Sequence, residues 1–522
     1  MKLPLFVAAL MLLGFAASAT PVSESLLQVE VAEGRLEGSL SPDGEVISFK
    51  GVPYAAPPVG ELRWKAPQAV EPWEGTRKAT AFGPRAMQKP IWDDMFFFDE
   101  GPSEDCLYLN VWRPAEFEAE ALPVMFWIHG GGFFAGGTSE PRQDGSSLAK
   151  KGVMVVSVGY RMGVFGFMAH PELTAESPDG ASGNYGLLDM VAALEWVQAN
   201  IEAFGGDPGN VTIFGESAGS WAVSSLMASP EARGLFHKAI AQSGAVLSPW
   251  RQPPAREEAE QVALAFAEKH FEGASLAELR ALPAEDLLEV YWRDGLRDFS
   301  VCQDGLFFPE DPAEVFAKGE QSDVPLIAGW NLDEGGAGGF LQGEASVENY
   351  RARAESEFGE RAQAFLDVYS ADGPESVERA AADYVGDRFI GYGTWRLIEE
   401  QARTASSPVF RYRFDQLLPL PLDAPADAQP RAAHSWEIEY VFDVLASKDL
   451  PWRSEDFEVA AMMSSYWSNF AKTGNPNGKG LPEWPAYSER ESKPVLHIDA
   501  SPELRSDTHR ERYEFLESLP SD

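Results

Sequence analysis

Val211-Thr212-Ile213-Phe214-Gly215-Glu216-Ser217-Ala218-Gly219-Ser220 is the stretch that decides how this chain is read. Its first four residues are β-branched or aromatic and read as a buried strand. Gly215 to Gly219 fits G-x-S-x-G, and after Trp221 the residues Ala222, Val223, Leu226 and Met227 are compatible with a helix. Strand, tight turn and helix are the context that makes this pattern a nucleophile elbow. Small residues are needed around the serine because a sharp, strained turn leaves no room for bulky neighbours. The backbone N–H of Ala218 is then free to face an oxyanion. A G-x-S-x-G alone arises by chance in a Gly-rich chain. Its flanks give it weight, and the rest of the sequence must supply the partners of Ser217.

The chain of 522 residues is 44% hydrophobic and 12% aromatic, enough to bury a large core. It exceeds the usual size of one domain, yet neither an internal repeat nor an interdomain linker divides it, so residues 20–522 read as one elaborated unit. With 42 basic and 81 acidic residues the formal net charge is −39. Such a balance argues against nucleic acid as a partner and against docking on anionic membranes. A solvated acidic surface is the plain explanation, and steering of cationic substrates the functional one.

At the N-terminus Lys2 precedes an apolar run, Leu3 to Phe15, and then Ala17-Ser18-Ala19, an A-x-A cleavage pattern. The run is too short to span a bilayer, so residues 1–19 read as a secretory signal peptide, cleaved near Ala19 to give an exported protein, periplasmic or extracellular. No later run reaches the length of a membrane span. The two cysteines, Cys106 and Cys302, do not make a disulfide scaffold, and the seven histidines form no metal-binding pattern. No metal, organic cofactor or obligate protein partner is indicated.

Leu27 to Glu37 and Val46 to Tyr54 alternate apolar and polar residues like strands of an antiparallel leading sheet. Between Gln88 and Ser103 lie Trp92, Phe96, Phe97 and Phe98 in a Gly/Pro/Asp-bounded loop, which reads equally as a local core or as the roof of a pocket. Pro123 to Ile128 is a strand that runs directly into His129-Gly130-Gly131-Gly132-Phe133-Phe134. Consecutive glycines after a strand let successive N–H groups converge on one point, as an oxyanion hole requires. Val153 to Val158, Ala239 to Gly244, Val324 to Trp330 and Val409 to Phe414 are further strands. Leu187, Val191, Leu194, Val197 and Ile201 have helical spacing that Gly205-Gly206 ends. Acidic helical segments fill Pro253–Lys318 and Val347–Ser406. Strands alternating with helices predict an α/β fold with a large, mostly parallel central sheet, antiparallel strands at its N-terminal edge, and helical insertions.

A serine elbow needs a histidine base and a carboxylate that orients it. His434, His497 and His509 lie late enough in the chain. His497 has the apolar neighbours of a strand residue and His509 sits in a charged tail. His434, in a loop before a helix, is best placed for a base. Asp304, Asp333 and Glu334 all fall near strand ends, and the residues alone do not choose among them.

A series of motifs in a fixed order resembles the type-B carboxylesterases, the family of cholinesterases and bacterial para-nitrobenzyl-type esterases. They are Lys50–Ala55 with Pro57-Pro58, Glu104–Asn110, the His129–Phe133 run, Gly183–Asp189, Phe204–Pro208 and the elbow, and the match runs from about residue 30 to about residue 500. The resemblance implies an α/β-hydrolase fold and a serine esterase with an acyl-enzyme intermediate. It implies Ser217 as nucleophile, Glu334 as the acid in the Asp-Glu-Gly turn, and His434 as the base in His434-Ser435-Trp436-Glu437-Ile438-Glu439. The oxyanion hole maps to the N–H groups of Gly131, Gly132 and Ala218. Glu216 and Ser243 match supporting groups beside the triad, and Trp250 falls where some relatives have an acyl-pocket tryptophan.

Two departures from the family matter. The neighbourhood that carries the disulfide partner of the Cys106 position in relatives reads Arg85-Ala86-Met87, so that bond is not expected. Where cholinesterases place an aromatic shortly after the Asp-Glu-Gly turn, this chain continues Gly335-Gly336-Ala337-Gly338-Gly339 before Phe340, so no quaternary-ammonium cage is evident. Together with Phe97, Phe133 and Phe134, the aromatic loop points to small or medium apolar or aromatic esters. The alternatives are a catalytically silent binding protein on the same fold, or a lipase, thioesterase, amidase or polyester esterase.

Overall fold

A computed structural model describes residues 24–296, 298–426, 428–487, 493–507 and 509–519. The segment 1–19 expected to be a signal peptide lies outside the described residues. The main sheet contains, in chain order, β1 (Ser39–Leu40), β2 (Val46–Pro53), β3 (Tyr108–Pro114), β4 (Leu122–Ile128), β5 (Met154–Val158), β6 (Gly206–Glu216), β7 (Lys238–Gln242), β8 (Leu326–Asn331), β9 (Val409–Phe414), β10 (Val495–Ile498) and β11 (Glu503–Arg505). Their spatial order is β11-β10-β9-β8-β7-β6-β4-β5-β3-β2-β1. From β5 through β10 every neighbouring pair is parallel, whereas β1 to β3 and the outer strand β11 run antiparallel. This is the largely parallel sheet that the alternation of strands and helices predicts, in the α/β-hydrolase arrangement that the family resemblance implies.

The sheet is buried on both faces, which is why its central strands read as unbroken apolar runs. Along β4 the side chains alternate between two cores: Val124, Phe126 and Ile128 join one, Met125 and Trp127 the other. On the first face lie α1 (Tyr185–Asn200) and α2 (Ala218–Ala228). Later in the chain come α3 (Pro374–Gly386), α4 (Tyr392–Thr404) and α5 (Ser454–Thr473), and α5 covers the opposite face. There Trp127 packs between Phe214 and Phe442, with ring centroids 4.8 and 4.9 Å away. Aromatic pairs of this kind are worth about 0.5–1.5 kcal/mol beyond the area they bury.

The connections define where a site can form. After β4 the chain turns outward to β5, and after β6 it turns the other way to β7. Between the C-terminal ends of β4 and β6 the direction of winding reverses, and such a point leaves a crevice suited to a ligand. The glycine run follows β4 and the elbow follows β6, so both strong motifs open on this crevice.

One expectation is corrected. Residues 27–37 do not lead the main sheet. They form a hairpin (Gln28–Val31 with Gly34–Glu37) that pairs with Thr76–Lys78 in a separate small sheet. The Ala32–Glu33 turn folds the segment back on itself before it reaches β1. Of the two readings left open for the aromatic loop, the local core does not hold: Phe96 and Phe98 are 64% and 70% exposed. The loop is instead tied down by charge, with Arg85 paired to Asp99 and the Arg85 guanidinium 4.5 Å over the Phe97 ring. Cys106 and Cys302 are both buried and unbonded. Among the described residues no helix is long and apolar enough to cross a membrane.

One buried ion pair links a sequence motif to the segment after β5. Asp189, from the Gly183–Asp189 motif in α1, accepts from Nε and Nη2 of Arg161 at 2.8 and 2.6 Å and from its backbone N–H at 3.0 Å. Both side chains are almost fully buried. Removing one partner of such a pair leaves a desolvated charge without compensation. Asp189→Ala is therefore expected to lower unfolding stability by about 3–5 kcal/mol. Urea or thermal unfolding of the purified variant checks this, and a loss under about 1 kcal/mol would contradict it.

Candidate active site

The site begins with the closeness of α2 to β4. A Cβ added at Gly219 would lie 2.0 Å from the carbonyl oxygen of Ile128, and one at Gly215 would lie 2.6 Å from the Gly219 carbonyl carbon. Only glycine fits on either side of the turn. Ser217, between strand and helix, adopts φ 55° and ψ −119°, a conformation costly for a side-chain-bearing residue. Its N–H donates to Gln242 O at 2.9 Å, which helps to hold it there.

The opposite lip is the turn after β4. Gly131 O accepts from the N–H groups of Phe134 and Ala135 at 3.1 and 2.9 Å. His129 braces this turn: Nδ1 contacts Gly130 O at 2.8 Å, and its ring stacks on Tyr160 with centroids 4.4 Å apart. Burial pushes His129 down to about 4, so the imidazole is neutral and Nδ1–H is the donor. Tyr160 Oη donates to His129 O at 2.8 Å. A Cβ at Gly130 would stand 3.2 Å from Ser217 Cβ, so the glycine turn lies directly beside the serine. Ala218 opens α2, and the first N–H groups of a helix have no intrahelical acceptor.

Three side chains from distant parts of the chain meet here. His434 Nε2 is 2.9 Å from Ser217 Oγ, and His434 Nδ1 is 2.6 Å from Glu334 Oε2. Ser217 and His434 are half-buried, Glu334 buried. The other oxygen of Glu334 accepts from Ser243 Oγ at 2.6 Å and from Asn331 N–H at 2.7 Å. Both oxygens are thereby fixed, and the one facing His434 has a single direction. Asp333 has a different task. It pairs with Arg379 and exchanges hydrogen bonds with the Ala432 backbone, clipping the His434 loop to the Glu334 turn.

Beneath this layer lies a second buried carboxylate, Glu437. It accepts from Gln242 Nε2 at 3.1 Å and Asn331 Nδ2 at 2.7 Å, while Asn331 also donates to Ala433 O. Burial raises Glu437 above the usual carboxylate range. A third carboxylate, Glu216, is wholly buried beside the serine, with Oε1 3.3 Å from His434 Nε2. Burial pushes its carboxyl well up. Burial also opposes charge on His434, but the carboxylates of Glu216 and Glu334 outweigh it and hold the imidazole above its ordinary value. Nε2 carries at most one hydrogen. When it accepts from Ser217, its one in-plane lone pair is used, and Glu216 acts on it through charge.

The remaining sequence candidates separate in space. Asp304 accepts from the backbone N–H groups of Leu306 and Phe308 and serves a local turn. His497 pairs with Asp415, and His509 lies against Arg413. Phe134 leans over Gly132, stacks on Trp92 with centroids 5.7 Å apart, and meets Trp292 edge-on. Phe133 is only 7% exposed and packs on Phe167 and Tyr160. Phe97 is taken up by Arg85, and Trp250 by Tyr392 and Arg388. Sequence reasoning gave no role to Tyr160, Asn331 and Glu437, although Tyr160 follows an expected strand and the other two lie within or beside a quoted motif. It also missed Phe389, whose ring meets His434 with centroids 5.2 Å apart. Phe389 comes from a helical insertion and carries no local signal.

Comparison with known proteins identifies the family. A carboxylesterase family model matches residues 25–516. The chain is similar to fumonisin B1 esterase of Sphingopyxis macrogoltabida, 37% identical over 473 residues that cover 88% of this chain and 84% of that protein. It is 36% identical to the para-nitrobenzyl esterase of Bacillus subtilis over 506 residues, covering 92% and 97% respectively. A solved PNB esterase structure superposes with a TM-score of 0.79 at 35% identity, over 94% of this chain and 99% of that one.

Proposed function

This chain belongs to the carboxylesterase family and is a carboxylic ester hydrolase, and we propose that it works through an acyl-enzyme on Ser217. The contact that carries this reading is Ser217 Oγ to His434 Nε2 to Glu334, at 2.9 and 2.6 Å, at the winding reversal of the sheet. His434 takes the serine proton as Oγ attacks the ester carbonyl, and Glu334 holds Nδ1–H so that Nε2 is the accepting atom. The carbonyl oxygen becomes an oxyanion held by the N–H groups of Gly131, Gly132 and Ala218. His434 then protonates the departing alcohol. Water, deprotonated by the same imidazole, releases the acid and restores Ser217.

Glu216 and Ser243 act through these residues, Ser243 by fixing Glu334 and Glu216 by setting the proton affinity of His434. The acyl and alcohol groups are apolar or aromatic and of small to medium size. The Phe134–Trp92–Trp292 cluster beside the glycine turn and Phe389 beside His434 support that choice. Residues 1–19 direct export, and 20–522 form the mature enzyme, periplasmic or extracellular. The support there is the apolar run ending in Ala17-Ser18-Ala19.

Para-nitrophenyl acetate, butyrate, octanoate and benzoate are expected to be hydrolysed, with a nitrophenol burst equal to the enzyme concentration wherever deacylation is slow. Ser217→Ala should lose at least about 10³-fold in kcat. A folded wild type that turns over none of these esters would bring the silent binding protein forward. The pH dependence tests Glu216. Activity requires neutral His434, so kcat/KM rises with pH through the pKa of that group. The Glu216 carboxylate holds this pKa up, and Glu216→Gln removes the anion. The acidic limb should therefore move to lower pH, by about one unit. An unmoved or raised limb refutes the role given to Glu216. Finally, intact mass of the secreted protein should match a start at Thr20, and a retained Met1 would exclude cleavage there.

A further inference from the structure

Two buried side chains hold consecutive carbonyls at the start of the glycine turn. Tyr160 Oη donates to His129 O at 2.8 Å, and the neutral imidazole of His129 donates from Nδ1 to Gly130 O at 2.8 Å. Their rings stack with centroids 4.4 Å apart. Burial, with the Glu216 carboxylate nearby, raises the Tyr160 phenol far above its ordinary value, so the hydroxyl stays a donor. The base of this strut is fixed on both sides. Gly159 donates its N–H to Tyr108 O at 2.9 Å and accepts from Tyr54 Oη at 2.7 Å, while Arg161 is locked to Asp189. The far side of the contact is closed as well. A Cβ added at Gly136 would lie 2.4 Å from Gly130 O and 2.6 Å from His129 Nδ1, and Gln88 holds both backbone groups of Gly136.

We propose that Tyr160, acting through His129, is a positioning residue for the oxyanion hole that keeps the Gly131 N–H aimed at the tetrahedral intermediate. The inference rests on the reading of Ser217 as nucleophile and of Gly131 as an oxyanion donor. Its physical basis is the planarity of the peptide bond. The C=O of Gly130 and the N–H of Gly131 belong to one rigid unit and point in opposite directions. A hydrogen bond that fixes this carbonyl therefore fixes the N–H behind it. Tyr160 fixes the preceding peptide in the same way, and its ring holds the imidazole in plane. Two successive planes of the turn are thus set from one residue at the end of β5. An oxyanion donor counts only when it points to where the developing charge will sit. The strut should therefore matter to the tetrahedral state and leave binding of a planar carbonyl compound almost untouched.

Two ketones of equal chain length separate these states. With trifluoromethyl hexyl ketone, Ser217 Oγ bonds to the carbonyl carbon, the serine proton passes to His434 Nε2, and the carbonyl π pair becomes an oxyanion in the hole. Methyl hexyl ketone resists this addition and binds as the planar carbonyl. Tyr160→Phe keeps the ring and removes the hydroxyl. It is expected to lower kcat/KM for para-nitrophenyl butyrate and to raise Ki for the trifluoromethyl ketone in step, each roughly tenfold. Ki for the methyl ketone should stay within about twofold of wild type. The loss falls short of the roughly 10²–10³-fold that deleting a whole donor costs, because a misaimed N–H still contributes. Should Tyr160→Phe not fold, His129→Asn and His129→Leu test the same route, since asparagine keeps an N–H near the Nδ1 position and leucine does not. The Asn variant should then favour the trifluoromethyl over the methyl ketone at least about fivefold more than the Leu variant does. Equal weakening of both ketones by Tyr160→Phe, or a trifluoromethyl ketone Ki within about threefold of wild type, overturns the proposal and leaves Tyr160 as a packing residue. Equal selectivity of the two His129 variants overturns it too, because Tyr160 then has no route to Gly131. Wild type that neither hydrolyses the ester nor prefers the trifluoromethyl ketone overturns the reading of Ser217, and this inference with it.

Discussion

Everything chemical in this structure depends on how tightly one helix presses on one strand end. The carbonyl of Ile128 and the start of α2 are so close that a single methyl group at Gly219 would collide with backbone. That contact leaves the chain no gentle route from β6 into the helix, and Ser217 takes up the difference as an unfavourable φ. The same contact puts the glycine turn after β4 beside the serine, because Ile128 and His129 are consecutive. The proposed nucleophile and oxyanion donors are thus positioned by one packing event. The sheet order then determines what else can arrive, since the ends of β7, β8 and β9 lie in sequence along the same rim and deliver Ser243, Glu334 and the His434 loop.

The cost of this arrangement is electrostatic. Glu216, Glu334 and Glu437 are all buried at the crevice, and His434 is the imidazole that touches two of them. Carboxylates removed from water destabilise a fold unless hydrogen bonds or opposite charge compensate. Here the compensation is uneven. Glu334 has a full set of donors, from Ser243, Asn331 and His434, whereas Glu437 relies on the amides of Gln242 and Asn331. Glu216 has the least support, with Oε1 lacking a hydrogen-bond partner, and burial raises its proton affinity accordingly. Glu334, with the fullest set of donors, is the acceptor for Nδ1–H, while Glu216 acts on the imidazole through its charge.

The parts of this design that were legible in the sequence are those written as contiguous chemistry. A β-branched run followed by small residues marks β6 and the elbow, and an apolar strand ending in three glycines marks β4 and its turn. Buried strands of a parallel sheet have no polar face, so Val155, Phe126 and Ile327 announce themselves. Residues 27–37 misled because a two-residue turn interrupts an alternation that continues on both sides of it. The aromatic loop left two readings open for another reason. Hydrophobicity there is balanced by Arg85, Asp94, Asp99 and Arg142, which pin the loop through charge and let Phe96 and Phe98 face water. Phe389 was illegible, because nothing local marks a residue whose neighbours come from other elements.

The position of Phe389 has a backbone cause. Between α3 and α4 the chain passes through one turn of π-helix, Asp387–Gly391, instead of continuing as a single α-helix. Wide turns of this kind are rare and tend to occur where a side chain has to be re-aimed. Asp387 is buried on the inner side and accepts from Tyr369 Oη at 2.9 Å, while two residues later Phe389 emerges against His434 and the Arg251 guanidinium. The turn also sits where the Glu334 loop is tightest, since a Cβ at Gly335 would lie 2.3 Å from Gly386 N. An insertion that packed there as a regular helix would keep its 3.6-residue spacing and present a different residue to the cleft. The extra residue in the turn shifts the register of α4 relative to α3 and aims Phe389 at the imidazole. The elbow and the glycine run are held by the sheet, but the ring beside His434 is held by this one irregular turn in an insertion. A wall of that kind can change, within one family, without disturbing the machinery it faces.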